Sequence, residues 1–258
     1  MKWVKVVSRI FIKTMGRDVK TMQIILILLI MLITLLPDAD SKTTLVLNTA
    51  NAPPNATKDH TGIGDRVLQE AFRRIGLNVK IIMLPSERAL INANEGIEDG
   101  NFARVEGIDK IYPNLIRVPE EITKFEFVAF SKKFKFQTTN WDSLKDYNVA
   151  LITGWKILEA NIVNTKSLVK VKNEDILFNL LNADRVDIIV YDRRQGQAVI
   201  KRLGLKNINN LNPPLAVKSM YLYLHKKHKD LVPLVTGAIR SMKRDGTYQK
   251  IVKEALRS

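Results

Sequence analysis

The chain contains no cysteine. That excludes disulfides, thiolate metal sites, a cysteine nucleophile and a lipid-modified cysteine behind an export signal. Aromatic residues make up only 7 % of the 258 residues, and histidine occurs three times. His225 and His228 stand among lysines without a cluster of acids, and His60 stands alone in a polar stretch, so no metal site is expected. The Gly-x-Ser-x-Gly elbow, the His-Glu-x-x-His pair and the phosphate-binding glycine loop are all missing. No catalytic residue and no cofactor is therefore expected, and the chain is not expected to be an enzyme.

Positive charge is in excess. The formal net charge is +15, and about +11 remains beyond residue 39. The bases are scattered, with one dense cluster at His225-Lys226-Lys227-His228-Lys229, so they read as a solvated surface rather than a nucleic-acid footprint.

The only long apolar run is Ile24–Leu36, preceded by a basic stretch and followed by Pro37-Asp38-Ala39-Asp40-Ser41. This is the layout of a secretory signal. Thirteen helical residues reach about 20 Å, short of the roughly 30 Å hydrocarbon core of a bilayer. Residues 1–39 are therefore expected to be a signal peptide, with an uncleaved N-terminal anchor as the alternative.

Beyond it, strand and helix signals alternate. Leu45-Val46-Leu47 predicts a strand running into Pro53-Pro54; Ile63, Val67, Leu68, Ala71, Phe72 and Ile75 share one helical face that Gly76 ends. Val79–Met83 predicts a strand, Ser86 a cap for the next helix, and Gly100–Val105 another strand. Further strands are expected at Val128–Phe130, Val149–Ile152, Leu168–Val171, Val186–Tyr191 and Met220–Leu224. Asn173 is expected to cap a helix with the face Ile176, Leu177, Leu180 and Leu181, and two C-terminal helices part at Asp245-Gly246. Such alternation predicts an α/β fold with parallel-rich sheets flanked by helices. Ligands of such sheets bind beyond the carboxyl ends of strands. That rule points to the loops after Leu47, Ile152 and Tyr191 and to the stretch around Arg104.

Four segments together resemble the extracellular solute-binding family 3, the amino-acid-binding type of ABC transporter. They are Gly62-Ile63-Gly64-Asp65 leading to Arg73-Arg74-Ile75-Gly76, then Asn94-Glu95-Gly96-Ile97-Glu98-Asp99, then Arg185–Asp192, and finally Met242-Lys243-Arg244-Asp245-Gly246-Thr247-Tyr248. The resemblance implies a two-lobed periplasmic binding protein fold of type II with a hinge. Lobe one would comprise residues 43–131 plus 219–258 and lobe two residues 132–218, joined by crossing strands near Phe130-Ser131 and Val217-Lys218. It further implies a periplasmic monomer that closes around a small polar or zwitterionic, amino-acid-like ligand and delivers it to an ABC transporter permease in the inner membrane, without nucleic acid as partner. A ligand-sensing module working with a membrane signalling partner is the alternative. One stretch departs from the family pattern: Asn101-Phe102-Ala103-Arg104-Val105-Glu106 lacks the usual Ser/Thr, and its arginine comes early.

Eight residues are candidate ligand contacts. Asp192 matches the family position that pairs with a ligand ammonium; its plainer role is a helix cap. Arg104 offers a planar fork to a carboxylate, or else a salt bridge to Glu106 or Glu98. Thr153, Gly154 and Trp155 open a helix, whose free N–H groups attract anions and whose indole can stack on a ligand. Tyr191, Asn51 and Arg88 complete the set, with core packing, turn formation and a surface pair with Glu87 as their alternatives.

Overall fold

The computed structural model describes residues 44–257 apart from Asn51, so the signal segment and the Asn51 contact lie outside the described residues. Ten strands form one sheet; eight of them follow a single path in the order β2-β1-β3-β10-β5-β8-β6-β7, and β4 and β9 pair off that path with β10 and β5. At one end β1 (Thr44–Thr49) runs parallel to β2 (Asn78–Met83) and β3 (Gly100–Arg104). At the other, β6 (Asn148–Ile152) runs parallel to β7 (Ser167–Val171) and β8 (Ile188–Asp192). Two long antiparallel strands join these ends: β5 (Thr123–Ser131) and β10 (Ala216–His225). β4 (Leu115–Arg117) and β9 (Asn209–Asn210) complete the set.

Each long strand changes partner partway. β5 pairs with β10 over Thr123–Phe127 and with β8 over Phe127–Phe130. β10 pairs with β5 over Ala216–Met220 and with β3 over Tyr221–Leu224. The changeovers thus sit at Phe127 and at Met220-Tyr221, a few residues from the crossings expected at Phe130-Ser131 and Val217-Lys218.

Helices cover both ends. α1 (Ile63–Arg74) buries Val67, Leu68, Ala71 and Phe72, the face its spacing predicts. It packs against α6 (Leu231–Arg244) and α7 (Thr247–Ala255), which separate at Asp245-Gly246 as expected. α2 (Ser86–Asn94) lies on β1 and β3. Over the second end lie α3 (Lys156–Asn161), α4 (Glu174–Asn182) and α5 (Arg193–Arg202). Asn173 caps α4 by accepting from the Ile176 N–H at 3.0 Å. The α4 face is rotated from the expected one: Leu177, Phe178 and Leu181 are buried while Ile176 is exposed, because Phe178 stacks edge-on against Phe130 and Tyr191. β8 is buried throughout, as its apolar run predicts, but only its β6 side is parallel; its other neighbour, β5, is antiparallel. Among the described residues no helix is long and apolar enough to cross a membrane.

The α5 helix packs closely on β5 at Gly196, the fourth residue of the helix. A Cβ on Gly196 would overlap the ring of Phe130, which is fully buried and held by Phe178. Gly196→Ala is therefore expected to destabilise the chain by about 1–3 kcal/mol through overpacking, although alanine is the better helix former. Urea denaturation checks this, and an unchanged midpoint would contradict the close contact.

Candidate functional site

The carboxyl ends of β1, β3 and β6 converge. Around them lies a small cavity of about 30 Å³, lined by Ala50, Arg104, Phe125, Phe127, Gly154 and Trp155 among others. That leaves room for only one or two water-sized groups.

Arg104 reaches this point through a backbone irregularity. In the β3–β10 ladder, Arg104 faces Tyr221 and Phe102 faces Leu222, so Ala103 is an extra residue. Its φ is +59°, in the left-handed region that a Cβ disfavours. The bulge ends the ladder and re-aims the next side chain.

The guanidinium is almost wholly buried, with 7 % of the residue exposed. All its partners are neutral oxygens. Nε donates to Asn101 Oδ1, Nη1 to Ser86 Oγ at 2.8 Å and to the Gly154 carbonyl at 3.3 Å, and Nη2 to the Ser86 carbonyl at 3.1 Å. Neither expected salt bridge forms. Glu106 pairs with Arg117 at 2.9 Å, and Glu98 accepts from Asn48 Nδ2 at 2.6 Å. Among the described residues no carboxylate lies within 4 Å of Arg104. Burial lowers its pKa to about 10, which still leaves it charged at neutral pH.

Ser86 was expected to cap α2. Instead Pro85 holds the cap position without a side-chain bond, and Ser86 is the first helical residue. Its hydroxyl and carbonyl both serve Arg104.

Polar contacts among the described residues tie the β1 end to the β6 end. Arg104 donates to Gly154 as above. The Ala52 N–H donates to Gln195 Oε1 at 3.0 Å. Lys156 Nζ donates to Glu87 Oε2 at 2.7 Å, while Tyr112 donates to Glu87 Oε1 at 2.8 Å. Burial opposes the charge on Lys156, but its bonds to Glu87 and Glu159 outweigh this and raise its pKa. Gly154 makes the approach possible: its φ is +86°, and a Cβ there would lie 2.5 Å from the Glu87 nitrogen.

The other expected contacts are placed as follows. Trp155 lines the cavity, and its ring stacks on Tyr191 at 4.6 Å and meets Phe127 edge-on at 5.9 Å. Tyr191 is buried beneath it and donates to Gln195 Oε1 at 3.3 Å. Thr153 is half-buried beside Gly154, with its N–H donated to Val171. Arg88 is exposed on α2, away from the cavity lining, and Glu87 pairs with Lys156 rather than with it. Asp192 takes the helix-cap role: Oδ1 accepts from the Gln195 N–H and Oδ2 from the Glu126 N–H, each at 3.1 Å. It is not among the residues lining the cavity. Sequence reasoning passed over Ser86, Phe125, Phe127 and Lys156. The alternation in Thr123-Lys124-Phe125-Glu126-Phe127 was the available signal for the two phenylalanines.

Asp192 carries a testable consequence. Burial raises its pKa from 3.8 to about 6, against the two N–H bonds that lower it. Between those values the unfolded chain has released a proton that the folded chain keeps. The contribution of this group to stability therefore falls as pH rises through that window and is constant above it. Asp192→Ser keeps a capping hydroxyl but cannot titrate. Relative to the parent, its stability is expected to improve from pH 4 to pH 6.5 by on the order of 2 kcal/mol. Parallel denaturation curves across that range would mean an ordinary carboxylate. For Gly154, substitution by alanine is expected to part the β1 and β6 ends, seen as increased quenching of Trp155 fluorescence by iodide; unchanged quenching would contradict the contact with Glu87.

No family model matches the chain. Over 208 residues it is 23 % identical to an uncharacterized protein of Shewanella oneidensis, covering 76 % of each. Among solved structures it is similar to the substrate binding protein of an amino acid ABC transporter, with a TM-score of 0.70 and 18 % identity over 84 % of this chain and all of that one. It is also similar to a histidine kinase sensor domain described as resembling periplasmic binding proteins, with a TM-score of 0.74 and 17 % identity over 84 % of this chain and 97 % of the other. Structural neighbours of this kind, the curled mixed sheet and its two long crossing strands give the chain the two-lobed fold of periplasmic binding proteins.

Proposed function

We infer that this chain is an exported solute-binding protein that grips the carboxylate of a small polar or zwitterionic, amino-acid-like ligand with Arg104 and passes it to an ABC transporter permease. The observation that carries this reading is the buried, charged guanidinium whose partners are all neutral oxygens. A cation taken from water without a counter-charge is costly, and a ligand anion is what restores the balance. Five N–H groups belong to the guanidinium and four bonds are made, so one donor on Nη2 is left for a ligand oxygen. Trp155 and Phe127 supply an apolar wall beside it.

Closure follows from where the partners come from. Ser86 and Asn101 lie at the β1 end and Gly154 at the β6 end, so an anion that orders Arg104 also favours the joined form. A permease that recognises the joined form then reads occupancy. The basic and then apolar start of the chain supports export to the periplasm. The likeness to a histidine kinase sensor domain supports a second reading, in which the same closure signals to a membrane partner.

The test is thermal unfolding with amino acids, simple carboxylates, polyamines and sugars. A carboxylate at a hundredfold excess over its Kd is expected to add about 2.7 kcal/mol. Arg104→Lys, which keeps the charge but loses the planar fork, should remove most of that gain. Stabilisation by polyamines or sugars but by no carboxylate would overturn the assignment. Co-purification with a permease or with a signalling receptor separates transport from sensing.

A further inference from the structure

The cavity at Arg104 does not end blindly. Val105, Ile108, Lys156 and Ile157 line both it and an adjoining groove of about 930 Å³ between the same two ends of the sheet. The two spaces differ some thirtyfold in size. A ligand with one carboxylate oxygen on Arg104 has room there for little beyond its head. Anything larger has to run past Ile157 into the groove.

The side chains along the groove say what that remainder is. Trp141, Ile111, Leu215, Val217 and Tyr221 present apolar surface. Ile111 is 57 % exposed and Val217 53 %, so these faces stand in water. Of the charged groups on the groove, Lys156 is engaged with Glu87 at 2.7 Å and Glu159 at 3.1 Å and Glu106 with Arg117, while Lys218 stands exposed on the β10 wall. The apolar faces between them gain from being covered.

Resting on the anion-binding reading of Arg104, we propose that the groove is a second subsite, and that the zwitterionic, amino-acid-like ligand is an elongated one whose carboxylate head carries an apolar or aromatic tail. The head sits at Arg104 and the tail lies along Ile157 toward Trp141. Because the groove has walls from both ends of the sheet, a long tail also holds the two ends together.

The experiment is calorimetric titration of the full-length protein with acetate, butyrate, hexanoate, octanoate and 4-phenylbutyrate. Affinity is expected to rise by about fourfold for each methylene that enters the groove. Trp141→Ala flattens that rise, and Ile111→Ser, at an exposed position where folding is not at stake, flattens it in part. Arg104→Lys lowers affinity for every member of the series alike. If short carboxylates bind but affinity does not change with length, the groove is not a subsite and the Arg104 reading stands. If Trp141→Ala and Ile111→Ser weaken acetate as much as octanoate, their effect is structural and the subsite is rejected. If no carboxylate of any length binds, both readings fall together.

Discussion

A single buried positive charge organises the centre of this molecule. Removing a guanidinium from water costs several kcal/mol unless each N–H finds an oxygen. Here the oxygens come from three separate segments: Asn101 in β3, Ser86 at the start of α2, and Gly154 after β6. The position of α2 against the sheet, the left-handed Ala103 and the positive φ of Gly154 are all conditions for that shell to form. Behind it runs a chain of buried polar groups in which Asn101 donates to Asn48 and Asn48 donates to Glu98. Glu98 is thus kept two amides away from the guanidinium, and Glu87 acts on it only through space while paired with Lys156.

The same shell couples chemistry to shape. Of the four bonds to Arg104, only the one to Gly154 crosses between the two ends of the sheet, at 3.3 Å. It is the longest of those with a stated length. The Ala52–Gln195 and Glu87–Lys156 contacts join the same two ends beside it.

Local patterns carried much of the fold and little of the site. The 3.6-residue spacing of α1, the Asn173 cap and the Asp245-Gly246 break are short-range signals, and each appears where it was expected. The partner exchanges of β5 and β10 are long-range and leave no mark in a ten-residue window. The site depended on two such hidden features. Nothing in Phe102-Ala103-Arg104 marks alanine as the left-handed residue, a conformation usually left to glycine. Nothing in Pro85-Ser86-Glu87 shows that the serine turns from capping to hold an arginine eighteen residues later. Asp192 illustrates the reverse: a cap and a ligand contact ask for the same residue at the same place, and hydrogen-bond geometry, not sequence, tells which bonds it makes.

The strand order also constrains how the molecule comes into being. β6, β7, β8 and their helices occupy one unbroken stretch, from Asn148 to Arg202. The other end lacks its β10 strand and the α6 and α7 covers until residues 216–255 have emerged, since β10 separates β3 from β5 and α6 packs on α1. On a growing chain the middle of the sequence can therefore gather its core while the beginning still waits with an unpaired β3 edge. Such an edge is a template for stray pairing, and its vulnerability lasts as long as synthesis of the remaining chain takes.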